Sequence, residues 1–196
     1  MIAETAQVAP SALVSESAFI WDLAQVRENA VISPGVIVGR GVYIGSGVSI
    51  GKNSKIQNYA LIYEPAKISE GVFVGPAVIF TNDRNPRAIN PDGSRKEASD
   101  WNAVGVTVEE GASIGARVVC VAPVRIGAWS LIAAGSVVIS DVPEFAMMAG
   151  VPARQIGWVG KNGVKLEVNQ EDISRFQCPI TGQSYRLQGD GKLVQL

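Results

Sequence analysis

The sequence contains no histidine and only two cysteines, Cys120 and Cys178, which do not form a CxxC pair. Protein zinc sites take their ligands mainly from cysteine and histidine, and two isolated cysteines cannot supply such a set. We therefore expect no metal site. The missing imidazole also removes the side chain that most often acts as a general base near neutral pH.

Long apolar runs and clusters of basic residues are also missing. No apolar stretch approaches the roughly 18 residues that a membrane helix needs, even though 47% of the residues are hydrophobic. The formal net charge is −1 and no run of basic residues occurs, so we expect neither a membrane nor a nucleic acid as partner. Residues 1–4 show neither the basic region nor the apolar stretch of a signal peptide, so the expected location is cytoplasmic.

What the sequence does contain is an apolar residue at every sixth position through its first 80 residues, with a small residue four positions after each of the first thirteen. Neither a helix, with a period of 3.6, nor a single strand, with a period of 2, has a period of six. A six-residue repeat is typical of a parallel β-solenoid in which each hexad forms one short strand and one corner. The residues expected to point into the core are Ile2, Val8, Val14, Ile20, Val26, Ile32, Val38, Ile44, Ile50, Ile56, Ile62, Ile68, Val74 and Phe80.

The repeat is interrupted once. Three hexads make one triangular coil, so residues 18 apart are expected to stack at about 4.8 Å. The register stops at Phe80 and resumes at Val108, and residues 81–107 form a polar segment rich in Pro, Asn and Asp. Loops of this length are usually functional. Cys120 falls on the resumed register, which predicts a buried small hydrophobic residue rather than a nucleophile.

The hexads end after Val138. We predict an all-β chain with a parallel β-helix over residues 1–155, one long loop insertion at 81–107, and a small β-hairpin appendage over residues 156–196. Short alternating segments separated by glycine-containing turns suggest the appendage. A short helix near residues 170–176 is a further expectation, and Phe73 and Phe80 are expected in the core.

The stacking rule also predicts a polar cluster at the root of the loop. Asn82 lies 18 residues beyond Glu64, and Thr81 lies 18 residues beyond Tyr63, so both pairs are expected at one corner. Tyr63, Glu64, Asn82 and Asp83 would then meet where the loop leaves the solenoid. Either the cluster binds a substrate, or it caps the corner and anchors the loop, as Asn and Asp often do.

Two arginines follow this cluster. The guanidinium groups of Arg84 and Arg87 suit a sugar carboxylate or a diphosphate, because guanidinium binds both with paired hydrogen bonds. The alternative is a solvated loop face, or a salt bridge with Asp92 or Asp100. Trp101 is expected to pin the loop, with stacking on a base as the alternative.

Five sequence segments indicate the class of β-solenoid protein more closely. They are 71–76 (GVFVGP), 80–87 (FTNDRNPR), 111–116 (GASIGA), 134–138 (AGSVV) and 150–154 (GVPAR). Together with the hexads, they resemble the left-handed β-helix (hexapeptide-repeat) acyltransferase superfamily. Within it, they are similar to the nucleotide-linked amino-sugar N-acetyltransferases, as is the tail from Cys178 to Tyr185. The resemblance implies a left-handed parallel β-helix, a homotrimer, acetyl-CoA as donor, a nucleotide-linked sugar as acceptor, and a place in lipopolysaccharide or related glycan biosynthesis.

The resemblance also implies roles for particular residues. Asn82 resembles the asparagine that lies at the reacting amine. Because Asp83 and Glu64 belong to the same predicted cluster, either one would hold the ammonium or accept its proton. CoA would run along a groove between neighbouring subunits near the later coils. Its expected contacts are Gly115, Ala116, Ala133 and Ala134. Arg154 and Lys161, just past the last coil, are expected near the CoA phosphates, with a solvated end-cap as the favoured alternative for Lys161.

The absence of histidine bears on the chemistry. A carbonic anhydrase of this architecture needs three histidines on zinc and is excluded. A hydroxyl acceptor needs a base to take its proton, whereas the neutral fraction of an amine attacks a thioester unaided. We therefore predict an N-acetyltransferase. An O-acetyltransferase with a carboxylate base and a catalytically inactive scaffold subunit stay open as alternatives.

Overall fold

The computed structural model covers residues 1–196 and shows a triangular parallel β-helix followed by a short antiparallel sheet. The all-β prediction is confirmed, because the one helix is a 3-10 turn at Ala98–Asp100. No helix combines the length and the apolar character needed to cross a membrane.

Each face of the prism is one parallel sheet formed by every third strand, so that the pairing offset is the predicted 18 residues. The seven-stranded face consists of Gln7–Val8 (β1), Gln25–Val26 (β4), Tyr43–Ile44 (β7), Leu61–Ile62 (β10), Ile79–Phe80 (β13), Val119–Cys120 (β16) and Val137–Val138 (β19).

The other two faces follow the same rule. The six-stranded face consists of Leu13–Val14 (β2), Val31–Ile32 (β5), Ser49–Ile50 (β8), Lys67–Ile68 (β11), Val106–Val108 (β14) and Val124–Ile126 (β17). The eight-stranded face consists of Phe19–Ile20 (β3), Ile37–Val38 (β6), Lys55–Ile56 (β9), Phe73–Val74 (β12), Ser113–Ile114 (β15), Leu131–Ile132 (β18), Ala146–Gly150 (β20) and Ala153–Trp158 (β21).

One continuous core of 36 buried residues runs along the inside of the prism. From Ile20 to Phe80 every predicted inward residue is at most 3% exposed, and burying each such side chain contributes about 1.5–3 kcal/mol. Ile2 is 49% exposed because the first coil has a neighbour on one side only. Ser54 occupies a small inward position by hydrogen bonding, since its hydroxyl donates to the Ser69 carbonyl at 2.9 Å and accepts the Val72 N–H at 3.1 Å.

The insertion leaves the register intact. The offset between paired residues rises from 18 for Ile62 opposite Phe80 to 40 for Phe80 opposite Cys120, so the loop adds 22 residues (40 minus 18) to one coil. Cys120 is fully buried, as predicted, and burial raises the pKa of its thiol to about 12. Phe80 is also fully buried, but Phe73 points outward and is 39% exposed, so its expected core position is wrong.

The C-terminal region forms a four-stranded antiparallel sheet of Glu167–Val168 (β22), Arg175–Gln177 (β23), Ser184–Leu187 (β24) and Leu193–Gln195 (β25). It has its own small cluster of buried residues around Phe145, Leu166 and Tyr185. The strand β21 runs across the predicted boundary after residue 155. It pairs antiparallel with β20 and is part of the prism. A separate unit over residues 156–196 stays a prediction.

The short helix expected near residues 170–176 is wrong. The Asn169 side chain accepts the N–H groups of Glu171 and Asp172 at 2.8 and 3.0 Å, and the Asp172 side chain accepts the Ser174 N–H at 3.0 Å. These side chains take up the backbone donors that a helix would use, so the segment forms turns that lead into β23.

Candidate functional site

The predicted polar cluster lies on the edge between the seven-stranded and six-stranded faces, which we call the loop edge. Leu61 and Ile79 pair in register, so Tyr63 and Glu64 leave β10 at the point where the loop leaves β13 one coil above. The structure therefore brings Tyr63 and Glu64 to the same edge as Asn82, as the stacking rule predicts.

The root of the loop is fastened by hydrogen bonds that do not use the Asn82 side chain. The Asn82 carbonyl accepts the Val104 N–H at 3.0 Å, which closes the loop, and the Thr81 hydroxyl accepts the Ala122 N–H at 3.0 Å. The Asp83 carboxylate accepts the Asn85 N–H at 2.8 Å. Anchoring thus falls to Thr81, Asp83 and the backbone, and the Asn82 amide group remains available to a ligand.

Glu64 has an unusual environment. One of its carboxylate oxygens, Oε2, is buried and has no hydrogen-bond partner. The carboxylate packs against the backbone of Gly45 in the coil below. Buried polar atoms without partners are rare in native proteins, and each one calls for a physical explanation.

Two tyrosines border this carboxylate. The rings of Tyr43 and Tyr63 have centroids 5.1 Å apart and are tilted by 45°. Burial raises the pKa of the Tyr43 hydroxyl, and the negative charge of Glu64 raises it further. Sequence reasoning missed Tyr43 and Gly45, although extending the 18-residue stack one coil below Leu61 and Tyr63 would have found both.

The two loop arginines are free of acidic partners. Arg84 and Arg87 are exposed and form no salt bridge, and the one hydrogen bond of Arg87 goes to the Pro86 carbonyl at 2.9 Å. Asp92 and Asp100, the expected partners, are instead held by Ser94 and by the Glu97 N–H. The guanidinium groups are therefore available to an anion.

The residues expected to contact CoA stack on the edge between the eight-stranded and seven-stranded faces, which we call the small-residue edge. The Gly115 N–H donates to the Ile132 carbonyl at 2.8 Å, and the Gly135 N–H donates to the Ala116 carbonyl at 2.9 Å. Coils approach closely here, since a β-carbon at Gly115 would lie 2.5 Å from the Ala134 nitrogen.

The two basic residues near the end of the prism separate. Met148 pairs with Ile132, and the next residue, Ala149, pairs with Arg154. Arg154 therefore lies on the next coil above Ala133 and Ala134. Lys161 lies beyond the opposite end of β21. Its ammonium group is 4.9 Å from the ring centre of Trp129, so the structure does not bring it to the small-residue edge.

The loop edge and the small-residue edge border the same seven-stranded face at opposite sides. Ala116 precedes β16 and Val121 follows it, so the two edges are five residues, or about 16 Å, apart along an extended strand. None of five concavities of about 290–340 Å³ on the chain surface includes Glu64, Asn82 or Ala134. Within a single chain, the width of the seven-stranded face separates the two edges.

No protein-family model matches the chain. Its structure is similar to that of a putative acetyltransferase from Bacillus cereus, with a TM-score of 0.62 and 18% identity over 80% of this chain and 86% of that one. It is also similar to a hexapeptide-repeat acetyltransferase from Vibrio cholerae O1 biovar eltor, solved with acetyl coenzyme A, with a TM-score of 0.50 and 26% identity over 63% of this chain and 70% of that one. The chain has the hexapeptide-repeat acetyltransferase fold.

A curated relative that is similar to part of the chain has a named substrate. The dTDP-3-amino-3,6-dideoxy-α-D-galactopyranose 3-N-acetyltransferase of Aneurinibacillus thermoaerophilus is 40% identical over 90 residues, which are 45% of this chain and 44% of the relative. The chain spans about 25–44% of the length of the curated relatives that it matches. Its own acceptor must therefore be argued from its own residues.

Proposed function

We propose that the protein is an acetyl-CoA-dependent N-acetyltransferase whose acceptor is the amine of a nucleotide-linked amino sugar, UDP- or dTDP-linked, in glycan biosynthesis. One observation carries the proposal: a chain with an acetyltransferase fold and no histidine gathers Glu64, Asn82 and Asp83 at the root of its one long loop.

The chemistry of an amine suits this residue set. The neutral amine attacks the thioester carbon, a C–N bond forms, the C–S bond breaks, and the departing thiolate takes the proton that the nitrogen loses. The protein then has to hold both substrates in line and stabilise developing charge, which polar side chains and backbone N–H groups can do without an imidazole.

The acceptor is assigned to the loop edge. The unengaged side-chain amide of Asn82 orients the amine, and Asp83 contacts it from the loop side. The unpaired guanidinium groups of Arg84 and Arg87 bind the diphosphate or a sugar carboxylate, since both offer the oxygen geometry that guanidinium prefers. A matching amino-sugar acceptor is named for the relative from Aneurinibacillus thermoaerophilus.

Acetyl-CoA is assigned to the small-residue edge. The exposed backbone at Ala134 and Gly135 has no bulky side chain over it, and a β-carbon at Gly135 would meet no atom within 4 Å. A thioester tail can therefore approach the chain along this edge. Arg154, exposed on the next coil, supplies positive charge for the CoA phosphates.

A site built from both edges requires two copies of the chain, because the edges lie on opposite sides of one face. Four consecutive coils present outward apolar residues on that face, at Leu61, Ile79, Val119 and Val137. Apolar patches of this kind mark interfaces, and a closed ring of three prisms would form one shared site at each contact. We propose a homotrimer.

The test is the release of CoA thiol from acetyl-CoA in the presence of paired acceptors, UDP- and dTDP-linked 3-amino sugars and their 3-hydroxyl counterparts. Turnover with an amino sugar alone is the expected result. Turnover with the hydroxyl acceptors, lost in Asp83→Asn, would establish O-acetylation instead. Failure to bind acetyl-CoA at millimolar concentration would establish a scaffold.

A further inference from the structure

We propose that Tyr43, Tyr63 and Glu64 form a binding site for an organic ammonium group, here called the ammonium box. The site selects acceptors that carry an amine over acceptors that carry a hydroxyl at the same position. This inference rests on the proposed function, because it places the acceptor amine of that reaction. Transfer of one proton from the bound ammonium to Glu64 gives the neutral amine that attacks the thioester.

The Glu64 carboxylate has an oxygen atom without a hydrogen-bond donor. Glu64 Oε2 is buried without a hydrogen-bond partner, and Glu64 takes part in none of the salt bridges of the chain. A buried acceptor that lacks a donor costs free energy, and the cost is larger for a charged group. A ligand N–H group that carries positive charge supplies both the missing donor and the missing charge.

A pair of aromatic rings supports the same site. Tyr43 and Tyr63 lie on consecutive coils with ring centroids 5.1 Å apart and an interplanar angle of 45°. A cation within about 6 Å of an aromatic ring centre is attracted by the negative face of the ring. Two tilted rings beside a carboxylate therefore complement a small cation.

No basic side chain of the chain forms a salt bridge with Glu64. Arg27, which interacts with the Tyr43 hydroxyl, is held by Glu28, with contacts of 3.1 Å from Nε and 3.3 Å from Nη2. That pairing leaves Glu64 uncompensated.

The box opens to solvent on the Tyr63 side, where Tyr63 is 37% exposed. The Glu64 carboxylate packs into the space left by Gly45, and rotation of this side chain, without movement of the prism, presents its buried oxygen to a ligand. Glu64 follows β10 where Asn82 follows β13, which places the bound amine beside the Asn82 amide.

The experiment is calorimetric titration of UDP- and dTDP-linked 3-amino sugars, each against its 3-hydroxyl counterpart, without acetyl-CoA. The wild-type protein is expected to bind one amino sugar about tenfold or more tightly than its hydroxyl counterpart. Glu64→Gln, which keeps the shape and removes the charge, is expected to abolish that preference and to leave the affinity for the hydroxyl sugar within about twofold. Glu64→Asp, which keeps the charge, should retain part of the preference.

The matched control is Glu70→Gln, which removes an exposed carboxylate from a different edge and should change neither affinity. Tyr43→Phe should keep the preference because the ring remains, whereas Tyr43→Leu should reduce it. Equal affinities in the wild-type protein, an unchanged preference in Glu64→Gln, or no binding of either sugar would overturn the ammonium box. Acetyl transfer to an amino sugar without a binding preference would overturn the ammonium box and leave the proposed function standing. A binding preference without acetyl transfer would overturn the proposed function and leave the ammonium box standing.

Discussion

The Glu64 carboxylate lies against the backbone of Gly45, so that a β-carbon at position 45 would overlap it. The Glu64 nitrogen would also lie 2.7 Å from that β-carbon, so movement of the side chain alone cannot relieve the overlap. Gly45→Ala is therefore expected to destabilise the protein by about 1–3 kcal/mol and to weaken amino-sugar binding. Urea denaturation and calorimetry measure the two effects.

Gly47→Ala is the control for this substitution. Gly47 has a φ of 68°, but a β-carbon there would meet no atom within 4 Å, so its cost is that of left-handed backbone alone, about 1 kcal/mol. Amino-sugar binding should be unchanged. A smaller loss of stability in Gly45→Ala than in Gly47→Ala would contradict the close contact with Glu64.

Asn82 is expected to act through its side chain and not through the fold. Its carbonyl closes the loop on Val104, and that bond survives a change of side chain. Asn82→Ala should keep the melting temperature and lower the rate of acetyl transfer about 100-fold, because a misaligned amine loses most of the advantage of positioning. Asn102→Ala, which removes an exposed amide from the same loop, is the control and should retain full turnover.

The loop arginines are expected to control acceptor affinity. Removing both Arg84 and Arg87 should raise the KM for the nucleotide sugar about tenfold or more and make it less sensitive to salt, while kcat changes little. Arg95→Ala tests whether loss of any loop charge is enough, because Arg95 is paired with Glu97 at 2.8 Å. An equal rise of KM in Arg95→Ala would show that the effect is not local.

The period of six predicts most of the fold because one physical constraint acts at every coil. An inward residue must be apolar, and its small neighbour must fit beside it. Both positions can therefore be recognised in the sequence, even across a 22-residue insertion. The corner positions follow a less regular residue pattern. Leu23, Tyr59 and Trp129 adopt left-handed backbone, a conformation that favours glycine, because coil stacking holds them there.

The stacking rule also predicts which side chains share the loop edge, but not how they interact. Nothing in the sequence marks the carboxylate of Glu64 as unpartnered, because that depends on where its side chain folds over Gly45. The sequence does not predict the position of Lys161 either. The hexads end before β20, so the sequence does not predict that β20 and β21 form a hairpin. This hairpin brings Lys161 to the corner that contains Trp129.

Stability at high pH should depend on Cys120. Burial raises the pKa of its thiol from about 9 to about 12, so above pH 9 the folded chain holds a proton that the unfolded chain releases. The stabilising contribution is complete below pH 9 and is lost as the pH rises towards 12, at about 1.4 kcal/mol per pH unit.

Cys120→Val should match the wild-type protein at pH 7 within about 1 kcal/mol, because valine occupies many equivalent inward positions. From pH 9 to 11 the variant should become the more stable of the two in urea denaturation. Cys178→Ala is the control, since hydrogen bonding from Thr181 lowers the pKa of the Cys178 thiol and its removal cannot produce this gain. Parallel curves for Cys120→Val and the wild-type protein would contradict the prediction.

The proposed trimer depends on the outward residues of the seven-stranded face. Val119 lies on β16, the sixth of the seven strands of this face. It is half-buried in the single chain, and a contact between prisms would cover it completely. Val119→Asp would then bury a carboxylate without a partner, at a cost of several kcal/mol per contact. We expect sedimentation at micromolar concentration to give three times the chain mass of 20.7 kDa for the wild-type protein and the single-chain mass for the variant.

Val31→Asp makes the same chemical change on the six-stranded face, where the side chain is 38% exposed, and should leave the trimer intact. Circular dichroism separates loss of assembly from loss of fold, because the prism core does not include either outward side chain. If acetyl transfer disappears together with the trimer in Val119→Asp while the monomer still binds its acceptor, the donor and acceptor edges must come from different chains. If the monomeric variant turns over at the wild-type rate, both edges serve the reaction within one chain and the shared site is wrong.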